Sequence, residues 1–235
     1  MSTFQKPLRV VCTRTLGQAY ALSARKAGVD LIDLDFLDIR YRTEALPPIP
    51  GEDRMRLAFT SGHAVKAYRA LRSDEQLGIP GREAFTVGRQ TATYARSAGF
   101  RIAATATDGA TLAAALIADG SSSVLHPCAA GSRRELPEGL AAAGIAYRPL
   151  VVYRKTPRPH RIEHMDALMV LSPSQVDVFL MKNELPPQLP VFCIGHTTAH
   201  YLREKGHRHL QVAGESSVPA LMARMFEHFK IKANV

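Results

Sequence analysis

The stretch VGRQTATYARSAG, residues 87–99, recurs later in the chain as IGHTTAHYLREKG, residues 194–206. The two copies align without a gap and match the following pairs: Gly88 with Gly195, Thr91 with Thr198, and Gly99 with Gly206. Each copy begins where an apolar run ends, continues in a pattern typical of a helix, and finishes at a glycine of the kind that commonly caps one. The repeat therefore indicates a strand-turn-helix unit that the chain uses twice.

Further short apolar runs, each bounded by turn residues, extend this pattern along the chain. Because they are continuous and short, they predict buried parallel strands. They are LRVVCT at 8–13, RLAFTS at 56–61, EAFTVG at 83–88, SVLHP at 123–127, ALMVLS at 167–172 and PVFCIG at 190–195. Helical stretches such as QAYALSARKAG from Gln18 and TLAAALIADG from Thr111 separate them. Strand alternating with helix predicts an α/β protein.

A second repeated unit precedes each copy of the first, so the chain has the order A, B, A′, B′. Unit A has a strand at Val10 or Val124, a helix ending at Gly28 or Gly144, and then an extended stretch. Either A packs with its neighbour B, or the chain ends meet and B packs with A′. Spacing alone leaves both arrangements open.

The two extended stretches, near 37–42 and 150–155, are interpreted as connectors between domains. Proline-containing segments follow them, PPIPGEDR at 47–54 and TPRPHRIEHM at 156–165. Proline at this density predicts loops, because it disrupts helices and central strands alike.

Composition narrows the class of partner. The chain has 235 residues, 46% of them hydrophobic, and a net charge of +9, which favours an anionic ligand. Nucleic acid is not expected, because the basic residues are scattered and no nucleic-acid-binding signature appears.

No run is long enough to span a membrane, and none makes a secretory signal. Three separated cysteines without a C-x-x-C pair predict a reducing, cytoplasmic location.

Taken in order, several pieces of the chain resemble uroporphyrinogen-III synthases. They are FTS-x-x-AV at 59–65, VG-x-x-TA at 87–92, HPC and RRELPEGLAAAGI-x-x-x-x-LVVYRKT within 126–156, SPS at 172–174, and IG-x-TTA-x-x-L-x-x-x-G at 194–206. The resemblance covers nearly the whole chain and rests on the order and spacing of these pieces. Two departures, Gly62-His63 after FTS and His196 where proline is usual, affect the local loops.

The resemblance implies an α/β fold of two flavodoxin-like parallel-sheet domains joined by a two-stranded β ladder. Residues 1–38 with 156–235 would form one discontinuous domain, and residues 42–150 would form the other. The connectors near 38–42 and 150–156 would be the ladder. This arrangement selects the pairing of B with A′.

The resemblance also implies an enzyme, a cyclising hydro-lyase that converts hydroxymethylbilane to uroporphyrinogen III with inversion of ring D and loss of water. The substrate is a linear tetrapyrrole with eight carboxylates. No cofactor is implied, and the chain shows no G-x-G-x-x-G, P-loop or G-x-S-x-G pattern. A monomer without a membrane or nucleic-acid partner is expected. The alternative is a non-catalytic, two-domain ligand-binding paralogue.

Candidate site residues lie at strand-to-helix turns, where backbone N–H groups receive anions. Substrate binding is predicted at Thr60, Ser61, Gly88, Thr91, Arg133, Ser172, Ser174, Gly195, Thr197 and Thr198. For the serines and threonines, simple helix capping is an equal alternative. Tyr153 matches the tyrosine that the family presents from the ladder towards the cleft, and it is the predicted catalytic residue, with a packed ladder tyrosine as the alternative.

No metal site is predicted. The sequence His160, Glu163, His164 spells H-x-x-E-H, a zinc peptidase pattern that requires a helix. Here it follows Pro157 and Pro159, so a chance match is the better interpretation.

Overall fold

The computed structural model of the chain describes residues 7–231. Its strands are β1 Leu8–Cys12, β2 Val29–Asp33, β3 Leu37–Tyr41, β4 Arg56–Phe59, β5 Glu83–Val87, β6 Arg101–Ala106, β7 Ser123–Ala129, β8 Ala146–Pro157, β9 Ala167–Val170, β10 Val191–Cys193 and β11 Leu210–Val212. Its helices are α1 Gln18–Lys26, α2 Gly62–Ala70, α3 Asp74–Leu77, α4 Arg89–Ser97, α5 Gly109–Ala118, α6 Glu135–Ala142, α7 Pro173–Leu180, α8 His196–Glu204 and α9 Val218–His228. A 3-10 turn occupies Glu52–Arg54.

The chain divides into two compact units. The first comprises the described parts of Met1–Asp38 and Thr156–Val235, and the second comprises Ile39–Lys155. The protein is a mixed α/β chain with parallel sheets, as the alternation of strand and helix predicts.

A five-stranded sheet forms the centre of the first unit, in the order β11-β10-β9-β1-β2. Its strands are parallel, and Val10 of β1 lies opposite Ala167 of β9. Helices cover both faces: Val10 packs with Met225 of α9 on one side, and Val11 packs with Phe179 of α7 on the other. Burial on both faces explains why these strands are continuous apolar runs.

A six-stranded sheet forms the second unit, in the order β3-β8-β7-β4-β5-β6. The strands from β8 to β6 are parallel. If the repeat copies are matched, β8-β7-β4-β5-β6 follows the same order as β2-β1-β9-β10-β11 of the first unit. The strands of B therefore pair with those of A′, which is one of the two arrangements that spacing left open.

The extended segments differ in detail from the sequence prediction. The stretch after α1 is two strands, because the chain turns at 34–36 and buries Phe36 in the core. Strand β8 runs on to Pro157, so the predicted loop begins at Arg158 and not at Thr156. His160, Glu163 and His164 lie in that loop, outside any helix.

None of the helices within residues 7–231 has the length and apolar character needed to cross a membrane. In both sheets the chain passes from the carboxyl ends of the central parallel strands through short turns to helix N-termini. These ends are the usual ligand-binding edge of an open α/β sheet.

Candidate functional site

In the second unit, predicted site residues follow three neighbouring strands. Thr60 and Ser61 follow β4, Gly88 follows β5, and Arg133 lies in the turn after β7. Because β7, β4 and β5 are adjacent and parallel, these turns lie on one edge of the sheet.

Ser61 and Tyr153 form the central contact at this edge. The Oγ of Ser61 lies 2.8 Å from the phenol oxygen of Tyr153. The same Oγ accepts the backbone N–H of Ala64 at 3.2 Å, which makes Ser61 the N-cap of α2. Tyr153 is placed by β8, where it lies opposite Ala129 of β7. A capping residue and the predicted catalytic residue are therefore joined by one hydrogen bond.

The ring of Tyr153 is packed, and only 3% of the residue is exposed. Burial raises the pKa of Tyr153 above its ordinary value, although the hydrogen bond with Ser61 lowers it in part. The phenol is therefore protonated at neutral pH. Two partly polar rings flank it: the centroid of His63 lies 5.7 Å away and that of Tyr41 lies 6.4 Å away. Ser61 is more accessible than Tyr153, so the serine is the exposed end of the pair.

Thr60 belongs to a second network that the sequence interpretation missed. Its Oγ1 lies 3.1 Å from Nε2 of His126, and Nδ1 of His126 lies 2.8 Å from the hydroxyl of Tyr147. His126 was part of the HPC piece but received no role, because a buried polar residue inside an apolar strand looks like a core position. The informative signal was a histidine within an otherwise apolar run.

Several helix N-termini at the strand ends lack a side-chain cap. The N-cap residues are Gly17 for α1, Gly88 for α4, Ser172 for α7 and Gly195 for α8, and none of them makes a capping side-chain bond within the described chain. The first N–H groups of a helix have no partner within the helix. These termini are thus suited to accept carboxylates.

Ser172 and Ser174 lie together in the first unit, with their hydroxyl oxygens 3.1 Å apart. Ser172 does not cap α7, so the capping alternative does not hold for it, whereas it does hold for Ser61. The buried amide of Gln175 fixes the turn next to them. Its Oε1 accepts from Thr13 Oγ1 and from the backbone N–H of Leu171, both at 3.1 Å.

The aligned threonines of the repeat point inward. Thr91 is 7% exposed and Thr198 is 3% exposed, whereas Thr197 lies on the surface. The side chains of Thr91 and Thr198 therefore face the interior, whereas Thr197 is accessible at the start of α8. Gly195 lies close to Ser216, because a Cβ atom at position 195 would be 3.0 Å from the Oγ of Ser216.

Arg133 is not brought into contact with the other predicted residues. Its side chain is 61% exposed, and its guanidinium lies 3.9 Å from the carboxylate of Glu135. An exposed guanidinium can still receive a carboxylate through its planar fork of donors.

A surface cavity of about 640 Å³ lies elsewhere, in the first unit. It is lined by the segment before β9 and by the residues after α7, including Arg161 and Lys182. Both segments lie at the amino edge of the sheet, opposite the strand ends described above. Among groups of His, Cys, Asp and Glu in residues 7–231, none has the grouping needed to hold a metal ion.

The solved structures that share this fold include the following two. One is a uroporphyrinogen-III synthetase from Helicobacter pylori 26695, at 22% identity and a TM-score of 0.62, covering 94% of this chain and 99% of that one. The other is a mutant uroporphyrinogen III synthase from the extremely thermophilic bacterium Thermus thermophilus, at 20% identity and a TM-score of 0.67, covering 95% of this chain and 97% of that one. At these identities the likeness establishes the fold.

Sequence comparison supplies the family. No curated protein matches the chain at a significant level. The family model described as uroporphyrinogen-III synthase HemD matches residues 18–223, which is most of the chain. This chain belongs to the uroporphyrinogen-III synthase family.

Proposed function

We propose that this chain is a uroporphyrinogen-III synthase, a cyclising lyase that converts hydroxymethylbilane to uroporphyrinogen III. The observation that carries this proposal is the family match over residues 18–223. The reaction removes the terminal hydroxyl of the substrate and leaves an electrophilic azafulvene. The last pyrrole ring attacks through its substituted carbon, and a spiro intermediate then opens and recloses with that ring inverted.

The two compact units would be flavodoxin-like domains, residues 1–38 with 156–235 and residues 42–150. Support comes from the strand order of the first unit, which reads 2-1-3-4-5 when its strands are numbered along the chain. This is the flavodoxin order. Strands β3 and β8 neighbour one another and each crosses a boundary between the units, as a two-stranded ladder would.

The uncapped helix N-termini would bind the carboxylates of the substrate. The backbone N–H groups that follow Gly88, Ser172 and Gly195 carry a partial positive charge at a helix start. The hydroxyls of Ser174 and Thr197 would add donors beside them. Many weak donors suit a substrate with eight carboxylates, and the basic character of the chain, +9, would attract it.

The Ser61–Tyr153 pair would assist loss of the hydroxyl. In this scheme Ser61 gives its proton to the departing hydroxyl, which leaves as water, and Tyr153 returns a proton to Ser61 across the 2.8 Å contact. The phenolate then regains a proton through Ser61 as the pyrrole N–H of the cationic azafulvene is lost. The buried phenol remains protonated at neutral pH, as this role requires. Tyr153 would thus act through Ser61, and Arg133 at the same edge would receive a carboxylate.

The main task of the protein would be orientation. Hydroxymethylbilane cyclises to the type I ring without an enzyme, so the protein must select which carbon attacks more than it must lower a high barrier. No cofactor is needed for this chemistry. Three buried, unpaired cysteines are compatible with a cytoplasmic protein, and we propose that it works there as a monomer.

Incubation with hydroxymethylbilane followed by separation of the isomers tests this function. An active enzyme yields the type III isomer. A non-catalytic paralogue would bind the tetrapyrrole and leave the type I isomer as the product.

A further inference from the structure

A buried imidazole connects strand β7 with β4 on one side and β8 on the other. His126 is 1% exposed, and its two ring nitrogens contact the hydroxyls of Thr60 and Tyr147 at 3.1 and 2.8 Å. The three side chains share one face of the sheet. Tyr147 lies opposite Val124 of β7, and His126 follows Val124 by two residues.

The imidazole is neutral in the folded protein. Burial lowers the pKa of His126 from 6.5 to about 4. A neutral imidazole has one N–H donor and one acceptor nitrogen, so one of its two contacts donates and the other accepts. The two hydroxyl partners must therefore take opposite roles.

The chemistry of the partners favours one assignment of these roles. A phenol is more acidic than an aliphatic alcohol and is therefore the better donor, while the alcohol is the better acceptor. Burial raises the pKa of Tyr147 to about 12, which keeps its proton in place. In the favoured arrangement Tyr147 donates to Nδ1, and Nε2–H donates to Oγ1 of Thr60.

With its oxygen engaged as an acceptor, Thr60 retains its own proton for a further partner. Among residues 7–231 the hydroxyl of Thr60 has His126 as its hydrogen-bond partner and no second one. Thr60 is partly exposed at the end of β4, directly before Ser61. Its O–H is available to an acceptor that arrives at the strand ends. Hydrogen bonds that run in one direction polarise one another, so the chain from Tyr147 through His126 also makes the O–H of Thr60 a stronger donor.

We propose that His126 and Tyr147 are positioning residues that hold Thr60 as a hydrogen-bond donor for a carboxylate of the substrate. This inference rests on the proposed function for the identity of the ligand. It adds that the Thr60 contact depends on two residues that do not touch the substrate.

The first test measures the tautomer of His126 by nitrogen NMR of histidine-labelled full-length protein. Loss of one signal in His126→Gln identifies the residue. We expect the Nε2–H tautomer with an unprotonated Nδ1 in the wild type, and a reduced preference for it in Tyr147→Phe. The Nδ1–H tautomer in the wild type would overturn the proposal, because Thr60 would then donate to the imidazole.

The second test separates positioning from structural support. We expect Tyr147→Phe to raise KM for hydroxymethylbilane roughly fivefold, the effect of one lost neutral hydrogen bond, with little change in kcat. In a Thr60→Val background, Tyr147→Phe should raise KM no further, because Tyr147 acts on the substrate only through the hydroxyl of Thr60. Tyr68→Phe, which removes the hydroxyl of a buried tyrosine in the same unit, should leave KM unchanged.

Additive effects of Tyr147→Phe and Thr60→Val, or an unchanged KM in Tyr147→Phe, would contradict the proposal. A wild-type protein that forms no type III isomer would instead overturn the proposed function. The tautomer measurement would still decide the direction of the hydrogen bonds in that case. The two failures are thus distinguishable.

Discussion

The phenol oxygen of Tyr153 lies 2.8 Å from the Oγ of Ser61, the residue that also caps helix α2. The contact joins β8 to the turn after β4, across the intervening strand β7. It would allow a tyrosine that is almost fully buried to take part in the proposed chemistry at the strand ends, with the serine as the exposed end of the pair.

Replacing Tyr153 by Phe removes the hydroxyl and keeps the packed ring. We expect turnover to fall about ten- to hundredfold, because general acid help is withdrawn while the substrate still ionises unaided. The free energy of unfolding should fall by about 1 kcal/mol, the contribution of one hydrogen bond. Steady-state kinetics and urea denaturation measure the two effects.

Tyr68→Phe is the matched control for that variant. Tyr68 is also buried, and its hydroxyl donates to Glu52, away from the strand ends. It should lose stability and keep its turnover. If Tyr153→Phe behaves like Tyr68→Phe, then Tyr153 is a packing residue and has no part in the reaction.

Ser61→Ala removes both the N-cap of α2 and the partner of Tyr153. We expect a stability loss of about 1 kcal/mol from the missing cap, together with a fall in turnover similar to that of Tyr153→Phe. The double variant should be no slower than either single one, because both act in one step. Kinetics of the three variants test this.

The control for Ser61→Ala is Ser73→Ala. Ser73 caps the short helix α3 in the same unit, and it forms a capping box with Gln76. Ser73→Ala should lower the free energy of unfolding and leave turnover unchanged. Equal activity losses at Ser61 and Ser73 would mean that capping explains both.

The neighbouring threonines at the start of α8 should respond differently to alanine. Thr197 is exposed, so its loss should raise KM roughly fivefold and leave thermal stability unchanged. Thr198 is buried, so its loss should lower the free energy of unfolding by about 1 kcal/mol and leave KM unchanged. The reverse pattern would show that α8 presents its inner face to the ligand.

The neutral state of His126 predicts how stability depends on pH. Burial lowers the pKa of this residue from 6.5 to about 4, so the unfolded chain binds more protons within that interval. Stability should therefore fall as the pH falls through it, with a contribution of up to about 3 kcal/mol from this residue. Urea denaturation between pH 7 and pH 4 measures the slope.

The variant His126→Phe should have a shallower slope over the same interval. His200→Gln serves as the control, because His200 is exposed on α8. A slope unchanged by His126→Phe would mean that His126 titrates in the folded protein as it does in the unfolded chain.

Much of the strand and helix pattern was accessible from sequence, because strands buried on both faces appear as uninterrupted apolar runs. Strand β6, Arg101–Ala106, was missed because its alternating small residues resemble a loop or a helix end. Strand β11, Leu210–Val212, is three residues long and follows two histidines, too short for any periodic signal.

The candidate site was accessible only in part. The strand-end hydroxyls could be found because they follow apolar runs, but local sequence does not show which hydroxyls point outward. Thr197 and Thr198 are adjacent, and only the tertiary packing of α8 decides that Thr198 is buried and Thr197 is exposed. The Thr60–His126–Tyr147 network joins three strands, so no local pattern reports it.

The measurement that tests the account most directly is the isomer composition formed from hydroxymethylbilane by the wild-type protein and by Ser61→Ala. We predict mainly the type III isomer from the wild type, and a larger share of type I from Ser61→Ala as the unassisted ring closure overtakes the slowed enzyme. Type I alone from a folded wild-type protein, formed at the rate seen in buffer, would contradict the assignment of synthase activity to this chain.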